Sequence, residues 1–269
     1  MQAAARRLQV KSISAWPLII DVLKLVALAV ILMALMVRAT ESLGYHWQWY
    51  RVPRYLLTVS ESNWTAGPLL SGFAVTLQIT AVSLVLALTF GFTTALMRLS
   101  NSVFARLVAR LYLELIRNTP LLVQLFFIYF VLSPAFAISG FASAVLALSL
   151  FEGAYVSEIV RAGILSIPRG QWEAAFSSGL DTWRSYRLVI LPQAVRHSLP
   201  PLTSQAISLI KDSALVSTIA LYDMTMQAQA IISETYLVFE VWFTVAAIYL
   251  LVTLALSGAV ALMEKRMGF

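Results

Sequence analysis

Long apolar strips separated by short charged segments restrict the fold of this chain more than any other feature. Six stand out, at residues 17–37, 70–97, 111–133, 138–165, 199–221 and 239–263. A helix rises 1.5 Å per residue, so roughly 20 apolar residues cross the ~30 Å hydrocarbon core of a bilayer. Lipid offers no partner to backbone N–H and C=O groups, so such strips become helices rather than open strands. Only 12% of the residues are charged, against about 25% in a soluble domain, and the mean hydropathy is +0.82. The chain therefore reads as an all-α integral membrane protein with about six transmembrane helices. The fifth strip is the weakest, because Lys211 and Asp212 interrupt it.

Basic residues set the expected orientation. With a cytoplasmic N-terminus, one side collects 14 of the 19 Lys and Arg residues, from Arg6, Arg7 and Lys11 to Lys265 and Arg266. The other side keeps Arg38, Arg51 and Arg54. Both termini are then expected inside. The first strip is read as a retained helix and not a cleaved leader, since it is long enough to span and Arg38 stands where small cleavage-site residues would be. Residues 38–68 become extracytoplasmic, with Trp47, Trp49, Tyr50 and Tyr55 suited to headgroup depth. Residues 1–69 form an N-terminal helix plus that segment, and 70–269 form the main transmembrane domain. The net charge of +6 does not indicate nucleic-acid binding, because the basic residues lie between apolar strips and make no continuous face. Arg98, Arg106 and Arg110 suit anionic lipid headgroups.

Several chemistries are excluded. None of the eleven glycines is followed by lysine, so the chain carries no GxxxxGK[ST] phosphate loop. HExxH is absent, His46 and His197 fall on opposite sides of the expected topology, and there is no cysteine. Metal and thiol sites of those kinds are ruled out, and no nucleophile–base constellation lies close in sequence for a membrane enzyme.

Two polar features remain. Residues 167–192, IPRGQWEAAFSSGLDTWRSYRLVILP, are too charged to enter a bilayer. They read as a short helix lying at the membrane face, with Gly170 before it and Glu173 in its first turn facing the positive helix end. Gly179 then permits a sharp turn, and Pro192 restarts the chain into the next span. The second feature is charge inside spans, which costs at least about 2.5–3.5 kcal/mol near the bilayer centre and so faces protein or water. Ser204, Ser208 and Lys211 recur at i, i+4 and i+7, Gln205 and Asp212 widen the stripe, and Glu152 and Glu158 can approach the same cavity. Either Lys211 pairs with a carboxylate as structural glue, or the cluster is a niche for a zwitterion. Glu114 with Arg117, Glu158 with Arg161, and Asp21 with Lys24 have the spacing of helix-face ion pairs. Glu240 has no evident partner.

The spacing Glu173-Ala174-Ala175, Gly179, Leu191-Pro192 resembles the cytoplasmic EAA loop of permease subunits of bacterial ATP-binding-cassette importers. ELIRNTPLLVQLFFIYF (114–130), FEGAYVSEIVRAGI (151–164) and PPLTSQAISLIKDSALVSTIALYDM (200–224) are similar to segments of the polar amino-acid branch, the last most like glutamate/aspartate permeases. The resemblance implies a type I importer permease fold and a cytoplasmic coupling helix within about 167–192. It also implies a second permease subunit, identical or homologous, two ATPase subunits binding ATP and Mg, a periplasmic amino-acid-binding protein and a place in the bacterial inner membrane. No cofactor is expected on this chain, which would be a transport subunit and not an enzyme. Glu173, Ala174, Ala175, Gly179, Leu191 and Pro192 would couple to the ATPase, and Lys211, Asp212, Glu152, Gln205 and Ser208 would meet substrate. Many relatives carry a glutamate where this chain has Gln205, which fits an acidic or neutral amino acid better than a strongly cationic one, while Glu152 pulls in the opposite direction and leaves the cargo open. The alternative is an ion- or proton-coupled secondary transporter using Glu152, Glu158 and Asp212 as a relay.

Overall fold

The computed structural model describes residues 15–42, 44–60 and 63–267. Arg6, Arg7 and Lys11 lie outside the described residues. The chain divides into two compact units, Met1–Trp47 and Gln48–Phe269, so residues 48–69 belong to the second unit.

Among the described residues the first unit holds one long helix, α1 (Ala15–Ser42), exposed along the length whose side chains are described. Its apolar residues leave no polar face to turn to water, as expected of a helix surrounded by lipid. Asp21 and Lys24 pair at 3.0 Å on its surface.

The second unit opens with a feature that composition did not reveal. A one-turn helix, Pro53–Leu56, leads into a hairpin of β1 (Leu57–Ser60) and β2 (Asn63–Ala66), with Leu57 opposite Ala66 and Thr58 opposite Thr65. Gly67 then caps α2 (Pro68–Leu99), whose first residue is a proline that needs no intrahelical donor. α2 packs along α5 (Gly140–Leu165) so closely that a Cβ at Gly91 would lie 2.3 Å from Val156 Cγ1 and 3.0 Å from the Gly153 carbonyl. Small residues at such a crossing let two membrane helices approach backbone to backbone.

The third apolar strip is not one straight span. α3 (Val103–Arg117) and α4 (Leu121–Phe136) meet at 105°. Pro120 lacks a donor and disfavours helical geometry in Thr119, so the helix breaks there. Gln124 holds the break closed, its Nε2 donating to the Ile116 carbonyl at 2.8 Å and the Thr119 carbonyl at 3.0 Å. Arg117 does not pair with Glu114, as spacing alone had implied. It turns to Glu158 at 3.4 Å, while Glu114 accepts from Asn118 Nδ2 at 2.9 Å.

Beyond α5 come α6 (Arg169–Ser177), a short helix Thr182–Ser185, a π-helical turn Tyr186–Ile190 and α7 (Leu191–Asp212). The last three run on without a break, so Pro192 does not restart the chain. The Leu191 N–H reaches back to the Tyr186 carbonyl, an i→i−5 step that widens the helix just where the Pro192 ring would crowd the preceding turn. A second π turn, Phe127–Leu132, precedes Pro134 in the same way. α7 ends at Asp212 and gives way to a 3₁₀ helix, Ser213–Ile219. The fifth strip, 199–221, is therefore not a single α-helix, and Lys211-Asp212 sits at its junction. α8 (Met224–Thr235) and α9 (Val238–Met267) complete the chain.

Four described helical segments are long and apolar enough to cross a membrane: Ile20–Ala39, Pro68–Leu99, Gly140–Leu165 and Val238–Arg266. The bent pair α3–α4 makes a fifth if counted as one span. α7 is too polar to join them by composition, so "about six" holds only if α7 is counted on its packing. Ile79, Leu125, Leu148, Leu209 and Val216 bring α2, α4, α5, α7 and the 3₁₀ helix into one core. Ala95, Val156, Ile164, Ile190 and Ala194 make another beneath α6.

Candidate functional site

α6 begins at Arg169 after Pro168, which places Gly170 inside the helix and Glu173 in its second turn. The expected favourable position of Glu173 in the first turn is thus corrected: the helix starts earlier, because Pro168 supplies its N-cap. The helix is anchored from one side only. Ala175 is buried, and Trp172 meets the Tyr186 ring edge-on at 4.7 Å, tying α6 to the π turn. Gln193 Nε2 bonds Gln171 Oε1 at 3.2 Å. Glu173, Ala174 and Phe176 face outward, with Leu191 and Pro192 exposed nearby.

Gly179 closes the helix in the left-handed region, at φ +78°. Its N–H reaches the Phe176 carbonyl at 2.9 Å, and the Leu180 N–H reaches the Ala175 carbonyl at 3.2 Å. This pair of bonds is the Schellman arrangement, which satisfies carbonyls the helix end would leave open. Asp181 then caps the next helix, accepting from the Arg184 N–H at 2.7 Å.

The second cluster lies between α5 and α7. Gln205 Nε2 donates to Glu152 Oε2 at 2.5 Å. Glu152 is 1% exposed, and its other oxygen has no hydrogen-bond partner although the Asp212 carboxyl lies close by. Glu152 is thus held behind Gln205, while Gln205, Ser208 and Asp212 are half-buried and Lys211 is exposed. Lys211 makes no ion pair within 4 Å among the described residues, so it is not the buried glue considered from the sequence. The cluster joins Glu152, Gln205 and Asp212, with Ser208 and Lys211 along the same helix.

Glu158 does not belong to it. Arg98 and Arg117 both bond its Oε1, and Arg161 bonds its Oε2 at 2.9 Å. A carboxylate held by three guanidinium groups is a poor proton carrier, which removes the middle member of the relay invoked for a secondary transporter.

Two residues were missed or left unexplained by sequence reasoning. Glu240 is fully buried and accepts from the Gln48 N–H at 2.6 Å, fastening the start of the second unit to α9 across 192 positions. Asp223 is also fully buried, caps α8 by accepting from Met226 N–H at 2.8 Å and leaves Oδ2 without a partner. Burial pushes its carboxyl up to about 6. An Asp just before a helix is a legible cap signal, but nothing local marks it as buried. Among the described residues no three His, Cys, Asp or Glu side chains come together as a metal site.

A family model described as the binding-protein-dependent transport system inner membrane component matches residues 83–269. The chain is 41% identical over 208 residues to the glutamine transport system permease protein GlnP of Escherichia coli (strain K12), covering 76% of this chain and 95% of that one. It is 41% identical over 213 residues to the L-cystine transport system permease protein TcyB of Bacillus subtilis (strain 168), covering 78% and 89%. Among solved structures, a chain from the crystal structure of an amino acid ABC transporter with histidines superposes with a TM-score of 0.70 at 42% identity, covering 74% and 94%.

Proposed function

The chain belongs to the inner membrane components of binding-protein-dependent transport systems, and we propose that it is the permease subunit through which an ATP-driven importer admits a polar amino acid. The observation that carries this reading is α6: a short helix clamped from behind by Trp172 and Ala175, with Glu173, Ala174 and Phe176 turned outward. A rigid, exposed peg of that kind suits a cleft in a separate ATPase, which would hold the ATP and Mg that this chain has no phosphate loop to bind. The rest of the machine in this reading is a second permease copy or homologue, two ATPase subunits and a periplasmic binding protein. The asymmetry of the basic residues supports α6 and both termini on the cytoplasmic side of the inner membrane.

The substrate class is read from the cluster on α5 and α7. Lys211 offers an ammonium to a substrate carboxylate, and Asp212 offers a carboxylate to its amine. Gln205 and Ser208 supply neutral hydrogen bonds, with Glu152 fixing Gln205 from behind. The niche offers one ammonium, so a second carboxylate on the cargo would find no cation of its own there. A neutral polar side chain, as in glutamine, therefore suits the niche better than glutamate or aspartate. GlnP and TcyB, named for glutamine and L-cystine transport, agree in class.

The test is uptake by proteoliposomes holding the permease, its ATPase and the cognate binding protein, with each amino acid as competitor. Competition by neutral polar amino acids and failure of glutamate to compete are expected. ATP-independent uptake driven by a proton or sodium gradient would sink the importer reading. In the same assay Lys211→Ala should raise the KM for uptake while leaving assembly intact, and unchanged kinetics would remove Lys211 from the niche.

A further inference from the structure

A cavity of about 720 Å³ lies where the last turn of α2, the length of α3 and the Glu158 region of α5 meet. Arg98, Arg106, Arg110 and Arg117 line it and outnumber its two carboxylates, Glu114 and Glu158. The carboxylates are already engaged, Glu114 by Asn118 and Glu158 by three arginines. Arg106 donates to the Ser100 carbonyl at 2.9 Å, a neutral partner, and Arg110 has no hydrogen bond or ion pair among the described residues. The well therefore carries a net positive charge, and Arg106 and Arg110 meet no carboxylate in it.

The position of these arginines on α3 points to what meets it. The buried face of α3 carries Ala109 and Leu113. A second face carries Val103, Phe104, Leu107, Leu111 and Leu115, which are 59% to 76% exposed. In a chain that spans a bilayer, a helix face so apolar and so open suits contact with lipid. At 100° per residue, Arg106, Arg110 and Arg117 fall on the seam between the two faces. The charge thus borders the acyl region instead of pointing away from it.

A second opening sits beside the first. The final turn of α3 contributes Glu114 and Arg117 to the basic well, and Leu115 and Ile116 to a groove of about 400 Å³. Val123, Phe127, Leu146 and Leu150 continue the groove along α4 and α5. Thr119 and Gln124 are its polar residues, and Gln124 Nε2 is committed to the backbone at the helix break. The 105° bend between α3 and α4 brings a charged well and an apolar trough within one helical turn of each other.

We propose that well and groove together form a site for one anionic phospholipid, its phosphate among Arg98, Arg106 and Arg110 and an acyl chain along Val123 and Leu150. A soluble phosphate would satisfy the well and have no use for the groove. A zwitterionic lipid would fill the groove and bring no net charge to the well. The site lies apart from Glu152, Gln205 and Asp212, and needs no assumption about cargo.

The experiment is native mass spectrometry of the intact permease–ATPase complex, titrated with phosphatidylglycerol or phosphatidylcholine. Retention of phosphatidylglycerol over phosphatidylcholine is expected. Each arginine removed should weaken phosphatidylglycerol binding about fivefold, so Arg106→Gln with Arg110→Gln should weaken it roughly 25-fold. Arg106→Lys with Arg110→Lys should keep most of the binding, and serves if the glutamine pair does not assemble. Val123→Trp, which fills the groove and leaves the well alone, should weaken lipid binding too. Equal retention of the two lipids would overturn the proposal. So would displacement of phosphatidylglycerol by millimolar inorganic phosphate with Val123→Trp unaffected, which would assign the well to a soluble anion.

Discussion

Replacing Gly179 by alanine isolates one property of α6, the handedness of its C-terminal turn. At φ +78° an L-residue places its Cβ against the following carbonyl, at a cost of roughly 1–2 kcal/mol. Beyond Gly179 and its two chain neighbours no atom lies within 4 Å of a Cβ built there, so the cost is local to the backbone and not a clash with packing. It falls on the turn made by Gly179 N–H to the Phe176 carbonyl and Leu180 N–H to the Ala175 carbonyl. A penalty of 1–2 kcal/mol lowers the population of the formed turn about 5- to 30-fold against its alternatives. That turn fixes the angle between α6 and the helix capped by Asp181, so α6 loses its defined direction while the spans are untouched. In proteoliposomes, Gly179→Ala should insert and assemble normally, yet uptake per ATP hydrolysed should fall several-fold. The Gly179 and Leu180 amides should lose protection from hydrogen exchange. Gly179→Asn should retain most coupling, because asparagine visits the left-handed region readily. Wild-type coupling in the alanine variant would refute the reasoning. An asparagine variant as impaired as alanine would also refute it, by moving the cause from backbone strain to side-chain bulk.

Gln205→Ala leaves both Glu152 oxygens without a hydrogen-bond donor in a buried site, so it should destabilise the protein by about 1–3 kcal/mol, read as a lower Tm in detergent. A Tm equal to wild type would mean that Glu152 has another donor. Glu158→Gln removes the carboxylate shared by Arg98, Arg117 and Arg161, whose side chains are 24–44% exposed together with its own. Solvent screening limits the loss to about 1 kcal/mol, and the gap to wild type should narrow as salt is raised. Asp223 gives a pH dependence. Its folded-state value near 6 lies above the ordinary 3.8, so the folded state holds this proton more tightly than the unfolded state. The stability it adds is fully present below about pH 4 and lost as pH rises through about 6, roughly 3 kcal/mol in all. Asp223→Asn keeps the helix cap and should flatten the Tm profile across that window; an unchanged slope would assign the dependence to other groups.

The parts of this protein that were legible from its sequence are those in which cause and effect lie within a few residues. The apolar strips yielded helices because their length answers to bilayer thickness. The pairs Asp21–Lys24 and Glu158–Arg161 formed because i,i+3 spacing places them on one face. Gly179 was legible as a turn because few residues other than glycine occupy φ +78° without strain. Where the deciding partner lay far along the chain, local rules named the wrong one or none. Arg117 stands one turn from Glu114 and chose Glu158, 41 positions away, because the bend at Pro120 turns the end of α3 towards α5. Glu240 seemed orphaned because its donor is a backbone N–H 192 positions away. The hairpin of β1 and β2 escaped notice because its strands are only four residues each, too short to show an alternating pattern.

Proline shows the same division within a single helix. Pro192, Pro200 and Pro201 are plain in the sequence; Pro192 reads locally as the start of a new span, and a proline inside a helix removes a donor. α7 nevertheless runs to Asp212 with all three inside it or at its start. The π turn Tyr186–Ile190 makes room for Pro192 and also presents Tyr186 to Trp172, so the distortion that tolerates the proline is the one that grips α6. Pro200 and Pro201 have no such accommodation. They remove the donors that the Arg196 and His197 carbonyls would have had from within the helix, one turn before Gln205. The missing donors make residues 200–201 the expected soft point of α7, just ahead of Gln205, Ser208 and Lys211. If a partner loads α6 through the Trp172–Tyr186 contact, the expected yielding point is residues 200–201, ahead of Gln205, Ser208 and Lys211, and not the packed start of the helix.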